Sequence, residues 1–404
     1  MKILIFSAFD PIPSDNISPI RYALLAEEFL NNGHEVEYVT SRYFHLQKKF
    51  REEKDWSEKG TPQNLKLTII PAPAYKKHIG LRRLYSHYVL AQNLRKYLKE
   101  LTKEKYPKLI ISAYPPIWTN YFLSTWAKQH DITFITDIQD LWPYNFKQLL
   151  PFNKFTSNAL QPLKSLFHKT LHIADGVAAV SEDYLFYLQK IIGKKPKNVF
   201  HLGTPTFFPI TDTETDRYKS HILYIGSSQI NYPLLNAIQL IDKSDKYQID
   251  VVGFSGNKEK FDEFCETNSL KNVNYISWPD FTKDRYKNHQ YKLGLTIINT
   301  DSLVAFPNKV FAYFAYGLPI INNIAGGELQ ELITKNKLGI TLNNINQESI
   351  ENAIQYCTVN FSMADRERIQ QFAKTNFNSS NIYNSYYQWC LEVLSSSKKI
   401  NFNS

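Results

Sequence analysis

The sequence has few cysteines, and they form no recognisable pattern. Only three occur in 404 residues, Cys265, Cys357 and Cys390, widely spaced and without a CxxC pair. An odd number of scattered cysteines indicates reduced, mostly buried thiols in a cytosolic protein. The spacing also excludes a zinc site built on paired cysteines.

Long apolar runs are missing as well. No stretch approaches the roughly 20 apolar residues of a membrane-spanning helix. The apolar start, residues 1–6, reaches Asp10 and Pro11 too soon to form the core of a signal peptide. We therefore expect a globular protein that is soluble or peripheral on a membrane.

Glycine is absent from the first loop, where dinucleotide-binding proteins need it. The apolar strand at residues 2–7 runs into a loop containing Pro11, Pro13 and Pro19, whereas dehydrogenases place G-x-G-x-x-G there. No D-x-D metal-binding motif stands at a strand end, and no RNA- or DNA-binding motif occurs. These absences disfavour a dehydrogenase, a resident metal and a nucleic-acid partner.

Charge is present but unevenly distributed. Residues 1–210 hold 28 Lys and Arg against 18 Asp and Glu, whereas residues 211–404 hold 19 against 20. Basic and aromatic residues alternate in two segments of the first half, 42–51 and 76–85. This mixture predicts that the first half faces an anionic membrane surface. The alternative for either segment is an ordinary solvated helix face.

The segment 306–321 is the most informative part of the chain. It predicts a short helix that ends at Gly317 and continues through Pro319 into a buried strand. Asn308 and Lys309 stand at the N-terminus of this helix, where backbone N–H groups and the helix dipole favour an anion. The alternative reading is a basic residue on an ordinary crossover helix.

Strand and helix signals alternate along the whole chain, which predicts an α/β protein. Strands are expected at 2–7, 34–40, 67–70, 109–112, 133–137, 176–180, 221–226, 248–253, 273–277, 293–298, 320–322 and 338–340. We predict a first Rossmann-like domain at 1–205, a linker at 206–219, and a second such domain at 220–380. Residues 381–404 would form a helix to 395 and then a frayed tail.

These features together resemble the GT-B glycosyltransferases, in particular retaining family 4. The family block P-(S/N)-K-x-x-E-Y-x-A-x-G-x-P-(V/I) is matched at Pro307, Asn308, Lys309, Tyr313, Ala315, Gly317, Pro319 and Ile320. Ala312 and Val304 replace two glutamates of the family, one of which binds ribose. The resemblance implies two Rossmann-like domains with a C-terminal helix that crosses back to the first domain.

The resemblance also implies a nucleotide-sugar site in the second domain. Family members use an Arg and a Lys after the first strand of that domain, but this chain has Ser227 and Ser228 there. We assign the donor diphosphate to Lys309 with Asn308 and these two serines. Gly326 and Gly327 are predicted to approach a phosphate or sugar, and Glu328 to accept bonds from sugar hydroxyls. The alternative for the two glycines is an ordinary turn. The alternative for Glu328 is an acidic residue that the helix dipole favours at the N-terminus of a helix.

In the first half, residues 138–143 resemble the (R/H)-D-L-W-P signature of one branch, which includes L-fucosamine transferases of O-antigen and capsule assembly. Asp140, with Gln139 in place of the Arg or His, is predicted to act at the active site; the alternative for Asp140 is a buried helix cap. Arg21 and Asp15 are assigned to the acceptor or its phosphate.

The resemblance thus implies a retaining, metal-independent glycosyltransferase acting on an undecaprenyl-diphosphate-linked saccharide at the cytoplasmic membrane face. The donor would be UDP- or dTDP-linked, since loss of the ribose-binding glutamate fits a deoxyribose. A GT-B sugar-nucleotide epimerase and a non-catalytic GT-B subunit are the alternatives. The sequence leaves the sugar, the linkage and the oligomeric state undetermined.

Overall fold

The structure is a computed structural model in which two compact units are distinguished. The described residues are 1–17, 20–52, 56–57, 59–76, 80–148, 158–210, 220–226, 232–253, 258–277, 281, 291–299 and 306–401. One unit comprises Met1–Leu202 with Ser380–Ser404, and the other comprises Gly203–Ser379. Residues 211–219, most of the predicted linker, lie outside the described residues.

The first unit is built on a parallel sheet whose central strands, such as Lys2–Ser7 and Leu109–Tyr114, are mostly apolar. Parallel strands are covered on both faces, so both of their sides are apolar. In chain order the strands are β1 (Lys2–Ser7), β2 (Glu35–Ser41), β3 (Tyr43–Phe44), β4 (Lys49–Phe50), β5 (Leu65–Ile70), β6 (Leu109–Tyr114), β7 (Thr133–Ile138), β8 (Gly176–Ala179) and β9 (Lys197–Val199). The sheet order is β5-β2-β1-β6-β7-β8-β9, and β3 with β4 forms a separate hairpin.

Among the described residues of this unit, five helices connect these strands. They are α1 (Arg21–Asn31), α2 (Leu81–Glu100), α3 (Ile117–Gln129), α4 (Gln161–Ile173) and α5 (Glu182–Ile192). Buried residues of α1, including Tyr22, Leu25 and Phe29, pack with β1 and β2 in the unit's core. All strands predicted for this part of the chain are present, with ends that differ by at most two residues.

The last helix of the chain belongs to the core of the first unit. The helix from Ser379 to Asn401 buries Tyr383, Tyr386 and Trp389 in the cluster that includes β1 and β2. A Cβ at Gly176 would lie 3.1 Å from the Trp389 ring and from the Val393 methyl groups, so a larger residue there would push these side chains of the helix outward by a few tenths of an ångström. The predicted tail at 396–404 is wrong for residues 396–401, which continue this helix.

The second unit repeats the same plan. Its strands are β10 (Ser220–Gly226), β11 (Tyr247–Gly253), β12 (Val273–Ser277), β13 (Tyr291–Thr296), β14 (Ile320–Asn322) and β15 (Gly339–Thr341). Its helices are α6 (Tyr232–Lys243), α7 (Lys258–Thr267), α8 (Lys309–Ala315), α9 (Gly327–Asn336), α10 (Gln347–Val359) and α11 (Met363–Asn376), and Ser379–Asn401 is α12. The sheet is parallel, in the order β12-β11-β10-β13-β14-β15.

Both sheets follow the strand order of a dinucleotide-type Rossmann fold. In each, the chain moves outward from the first strand to the third and then returns to the other side of the first strand. The switch points lie between β1 and β6 and between β10 and β13. Open α/β sheets bind ligands at the carboxyl ends of the strands beside such a point.

Candidate active site

At the carboxyl end of the first sheet, Arg83 lies among aromatic rings. Its guanidinium carbon is 4.6 Å from the centroid of the Trp142 ring, 5.5 Å from that of Phe9 and 5.8 Å from that of Tyr75. Burial lowers the pKa of Arg83, against the raising effect of Tyr75 and Asp140. The structure thus places a half-buried cation beside the predicted active-site aspartate.

His87, one turn further along α2, packs against two of the aromatic rings that surround Arg83. Its ring stacks on Trp142 at 5.5 Å and contacts Phe9 at 5.0 Å between centroids. The residue is 2% exposed, and its Nε2 atom has no hydrogen-bond partner among the described residues. Burial, and next the nearby Arg83, hold the pKa of His87 well below its usual value, so the imidazole is neutral.

Asp140 shapes the turn that carries Trp142. One carboxylate oxygen accepts a 2.8 Å hydrogen bond from the Trp142 indole, and the other accepts one from the Asn145 side chain. Burial raises the pKa of Asp140, and these hydrogen bonds lower it. Asp140 therefore holds the Trp142 ring that lies against Arg83. Its predicted contact with a substrate stays a prediction.

Gln139 lies deeper, next to the central salt bridge of the unit. Its amide nitrogen donates to Asp137 Oδ1 at 2.8 Å, and its backbone N–H donates to the Tyr114 carbonyl. These bonds tie the ends of β6 and β7 together. The catalytic assignment of Gln139 stays a prediction.

Arg21 is not the phosphate ligand that the sequence suggested. It is 1% exposed and pairs in a bidentate manner with Asp137, at 2.9 and 3.2 Å. Its remaining nitrogen donates to the Phe200 carbonyl at 2.6 Å, and Tyr386 donates to the same aspartate. The residue therefore joins α1, β7, the segment after β9 and α12, which is a structural role.

Asp15 likewise lies in the interior rather than at a phosphate site. Its carboxylate pairs with Arg51 Nη2 at 2.6 Å and accepts the Ile12 N–H at 2.9 Å. The pairing also corrects the charge analysis, because Arg51 is buried and does not contribute to a basic surface. Both assignments to the acceptor phosphate are thus corrected.

Asp10 follows β1 at the switch point and was not singled out from the sequence. Its Oδ2 accepts the Tyr22 N–H at 2.9 Å, and the side chain is partly exposed. Burial raises the pKa of Asp10 to about 7, while the Tyr22 hydrogen bond, Arg21 and Arg51 oppose that rise. An acid with this pKa holds or releases a proton near neutral pH.

In the second unit, Lys309 lies over an aromatic ring at the carboxyl end of β10. Its Nζ atom is 3.8 Å from the centroid of the Tyr224 ring, and burial lowers the pKa of Lys309 to about 7. Asn308 precedes it as an exposed N-cap residue that makes no side-chain cap hydrogen bond. Lys309 is thus a cation that an anionic ligand can stabilise.

Tyr313 fixes the helix that carries Lys309. Its hydroxyl accepts the Ile225 N–H at 3.0 Å and donates to the Leu295 carbonyl at 2.7 Å, so it joins α8 to β10 and β13. The helix ends as predicted, with Gly317 at φ 64°. A Cβ at Gly294 would come within 2.4 Å of the Tyr313 ring, so glycine is required there.

The predicted glycine turn opens α9. Gly326 and Gly327 have φ of 78° and 74°, and the Gly326 N–H donates to the Gln330 side chain. Glu328 lies in the first turn of the helix and is half-buried. Ligand contacts of all three residues stay predictions. Ser227, Ser228 and Val304 lie outside the described residues.

Two features of the described ranges bear on ligands and membranes. Among these residues, no group of three or more His, Cys, Asp or Glu side chains is arranged to hold a metal ion. Within the same ranges, every helix is too short or too polar to cross a bilayer. Metal independence stays a prediction.

Sequence reasoning missed Arg83 and His87 as site residues because it assigned residues 76–85 to the surface. It missed Tyr224 and Asp10 because neither stands in a motif. The position of Asp10 directly after the first strand was the one signal that could have indicated it, since ligands bind at strand ends.

Comparison with known proteins gives one sequence relative, and no protein-family model matches the chain. A protein described as an uncharacterized 41.2 kDa protein in the cps region of Klebsiella pneumoniae is 27% identical over 183 residues. The match covers 44% of this chain and 48% of that protein, so it spans about half the length of the curated relative.

Solved structures match over nearly the whole chain. Sucrose-phosphate synthase from Thermosynechococcus elongatus has a TM-score of 0.66 at 15% identity, covering 100% of both chains. HepE from Anabaena, in complex with UDP-glucose, has a TM-score of 0.61 at 12% identity, covering 98% of this chain and 100% of that one. The lipopolysaccharide outer core galactosyltransferase WaaB has a TM-score of 0.58 at 13% identity, with coverages of 95% and 98%.

These similarities establish the fold. The chain has the GT-B fold of two Rossmann-like units, as the sequence predicted. Identities of this size carry no statement about substrate.

Proposed function

We propose that the protein is a glycosyltransferase that moves a sugar from a nucleotide-sugar to an acceptor in the synthesis of a surface polysaccharide. The observation that supports this best is the presence of a half-buried cation over an aromatic ring at the carboxyl end of each sheet, Lys309 in the second unit and Arg83 in the first. Transfer requires stabilisation of the charge on the departing diphosphate. Lys309 would supply it.

The donor in this proposal is a UDP- or dTDP-sugar, bound in the second unit. Solved structures of the same fold include HepE with UDP-glucose and UGT89C1 with UDP-L-rhamnose, which supports a nucleotide-sugar. Ala312 lies one turn after Lys309 on α8 and offers no carboxylate to a ribose. No metal is included, because Lys309 and backbone N–H groups are assigned to the diphosphate.

The acceptor in this proposal is a saccharide linked through diphosphate to a lipid such as undecaprenol. Arg83 supplies the cation for that diphosphate, and the relative in the cps region supports capsular polysaccharide as the product. The sequence resemblance supports three further parts of the proposal. These are membership of family 4, transfer of a hexose or deoxyaminosugar, and retention at the anomeric carbon. Analysis of the anomeric configuration of the product tests the last point.

A lipid-linked acceptor requires the protein to reach a membrane, and α2 presents a suitable face. Leu81, Tyr85 and Tyr88, spaced four and three residues apart, are 84%, 61% and 46% exposed. We call these three residues the α2 face. Exposed Lys76 and Arg82 flank it. Exposed apolar side chains with neighbouring cations favour an anionic lipid interface, to which the protein would bind peripherally on the cytoplasmic side.

The test is incubation of the purified protein with UDP-glucose, UDP-galactose, UDP-N-acetylglucosamine and dTDP-L-rhamnose, with and without farnesyl-diphosphate-linked glucose or galactose. Product is followed by mass spectrometry, and donor binding by the shift in melting temperature. We expect at least one donor to stabilise the protein and to be consumed in the presence of an acceptor. Epimerised donor without transfer would indicate the epimerase, and absence of both binding and turnover would indicate a non-catalytic subunit.

A further inference from the structure

Two basic residues of α2, one helical turn apart, contact the same three aromatic rings. The guanidinium of Arg83 lies over Trp142, Phe9 and Tyr75. The ring of His87 contacts these three rings at 5.5, 5.0 and 5.9 Å between centroids. We call these five residues the aromatic cage. Because side chains four positions apart lie on the same face of a helix, the cage holds both basic groups side by side.

His87 contributes a polar atom to the cage that the protein itself does not use. The residue is 2% exposed, and its Nε2 atom has no hydrogen-bond partner among the described residues. Since buried polar atoms are nearly always hydrogen-bonded, an unpartnered one indicates a role outside the fold. Phe9, Arg83 and the neighbouring His45 are partly exposed, so the cage is not sealed from solvent.

Positive groups predominate around His87. Among the described residues, the charged and titratable groups that act on Arg83 and His87, besides these two themselves, are His45 after β3, Tyr75 after β5 and Asp140 after β7. The Asp140 carboxylate is already bonded to an indole and an amide. Burial, and next Arg83 and His45, hold the pKa of His87 well below its usual value. The imidazole therefore stays neutral until an anion offsets these charges.

We propose that His87 is a second ligand of the acceptor diphosphate, beside Arg83, and that it takes up a proton when this anion binds. The inference rests on the proposed function, in which Arg83 holds that diphosphate. The proton comes from the solvent and charges the imidazole, and Nε2 donates a hydrogen bond to a phosphate oxygen. No bond of the acceptor breaks in this step.

Charge linkage gives the proposal a measurable consequence. An anion beside an imidazole favours the protonated form, and by reciprocity the protonated form binds the anion more tightly. Affinity for the diphosphate is therefore gained below the pKa of His87 in the complex and is lost as the pH rises through it. A single proton changes the affinity by at most about tenfold for each unit of pH. A diphosphate esterified at both ends does not itself titrate near neutral pH, so the change arises in the protein.

The alternative for His87 is a packing role, in which its ring only supports Trp142. Two substitutions separate the roles. His87→Phe keeps a ring in the cage and removes both nitrogens, whereas His87→Gln keeps a hydrogen-bond donor that cannot become charged. A packing role predicts that His87→Phe binds the acceptor as the wild type does at every pH.

The experiment measures binding of farnesyl-diphosphate-linked glucose and galactose by calorimetry, without vesicles, at about pH 6, 7 and 8. We expect the wild type to bind on the order of tenfold more tightly at the lowest pH than at the highest, with uptake of a proton. Titrations in buffers of different ionisation enthalpy count that proton. We expect His87→Phe to bind about tenfold or more weakly than the wild type at the lowest pH, with a smaller dependence on pH. His87→Gln should have an intermediate affinity and the same small dependence.

Three comparisons assign the effect to His87 and to the acceptor. Asp10 and Lys309, each with a pKa of about 7, are present in every variant, so the difference from the wild type reports on His87. His172→Gln, at an exposed histidine of α4, is the matched control and should bind as the wild type does. UDP carries the diphosphate of the donor side, and His87→Phe should bind it with wild-type affinity.

The outcomes separate this inference from the proposed function, which transfer by the wild type tests. Wild-type acceptor affinity and pH dependence in His87→Phe would overturn the role of His87 and leave the proposed function standing. The same conclusion follows if an active wild type binds neither acceptor or takes up no proton, or if His87→Phe loses affinity for UDP equally. A wild type that transfers no sugar and binds neither acceptor would overturn both.

Discussion

The ammonium of Lys309 lies 3.8 Å from the centroid of the Tyr224 ring, above the first strand of the second sheet. The ring faces a cation whose pKa burial has lowered to about 7. The negative face of an aromatic ring offsets part of the cost of desolvating an ammonium, but less than an anion does. The site is therefore organised for an anionic ligand that restores the charge of Lys309.

Replacing Lys309 by alanine is expected to weaken binding of a nucleoside diphosphate. Loss of a charge-assisted contact of roughly 1.5–3 kcal/mol corresponds to a tenfold or greater loss of affinity. Isothermal titration with UDP and dTDP measures the change. Lys335→Ala, on the exposed end of α9, is the control and should bind as the wild type does. Equal affinities in the two variants would remove Lys309 from the site.

The contribution of Lys309 should depend on pH. Its lowered pKa means that it is mostly charged at about pH 6 and mostly neutral at about pH 8 in the unliganded protein. Binding an anion at about pH 8 must therefore include uptake of a proton. We expect the ratio of UDP dissociation constants, Lys309→Ala over wild type, to be larger at the lower pH. The ratio cancels the titration of UDP itself, and a constant ratio would contradict the prediction.

Arg83 should matter for the acceptor and not for the donor. With a water-soluble lipid-diphosphate acceptor, Arg83→Gln is expected to lower kcat/KM by about tenfold or more, through loss of a charge-assisted contact. Arg83→Lys keeps the charge but cannot lie flat over Trp142, so we expect an intermediate value. Arg82→Gln, an exposed neighbour, should have no effect in this assay. Equal losses in the Gln variants at 82 and 83 would argue against the site.

Arg21 should contribute to stability rather than to binding. In Arg21→Met the buried carboxylate of Asp137 loses its partner, which is expected to lower the free energy of unfolding by about 3–5 kcal/mol. The exposed pair of Arg368 and Asp365, at 3.5 Å, serves for comparison, and its loss should cost about 1 kcal/mol or less. Urea unfolding followed by tryptophan fluorescence measures both. A small effect of Arg21→Met would show that water or another cation reaches Asp137.

The α2 face should bind anionic lipid. Sedimentation with vesicles containing phosphatidylglycerol is expected to exceed that with phosphatidylcholine alone and to decrease at high salt, since screening shortens the electrostatic range. Replacing Leu81, Tyr85 and Tyr88 by serine should abolish most of the binding to the anionic vesicles. The control replaces Phe186 and Tyr187, which are exposed on α5. A wild-type protein that ignores anionic vesicles at low salt would favour a soluble acceptor.

Much of the fold could be predicted because each strand is a short apolar run bounded by turn residues. The strand Lys2–Ser7 and the strand Val273–Ser277 were predicted to the residue. The end of α8 was also predicted, because Gly317 is needed for its left-handed cap. The end of α12 was missed because Ser397, which reads as a tail residue, bonds to Thr133 of β7 at 2.7 Å.

The candidate site was less predictable, because exposure of an arginine depends on distant residues. The guanidinium of Arg21 is enclosed by Asp137, 116 positions away, and that aspartate is also bonded to Tyr386, 249 positions from it. Arg83 was read as a surface residue, yet it lies against Trp142. Lys309 was placed correctly at the N-terminus of its helix. Nothing in the sequence, however, indicated that its ammonium lies over the ring of Tyr224.

The position of α12 has a consequence for the order of folding. The first unit needs Tyr383, Tyr386 and Trp389 to complete its core, and these residues follow the whole of the second unit in the sequence. During synthesis the second unit, which is continuous, can become compact while the first still lacks a helix. Domains usually fold from the N-terminus as they emerge. Here the first unit made is the last to be finished, and the apolar surface that α12 covers stays exposed until that helix has been synthesised.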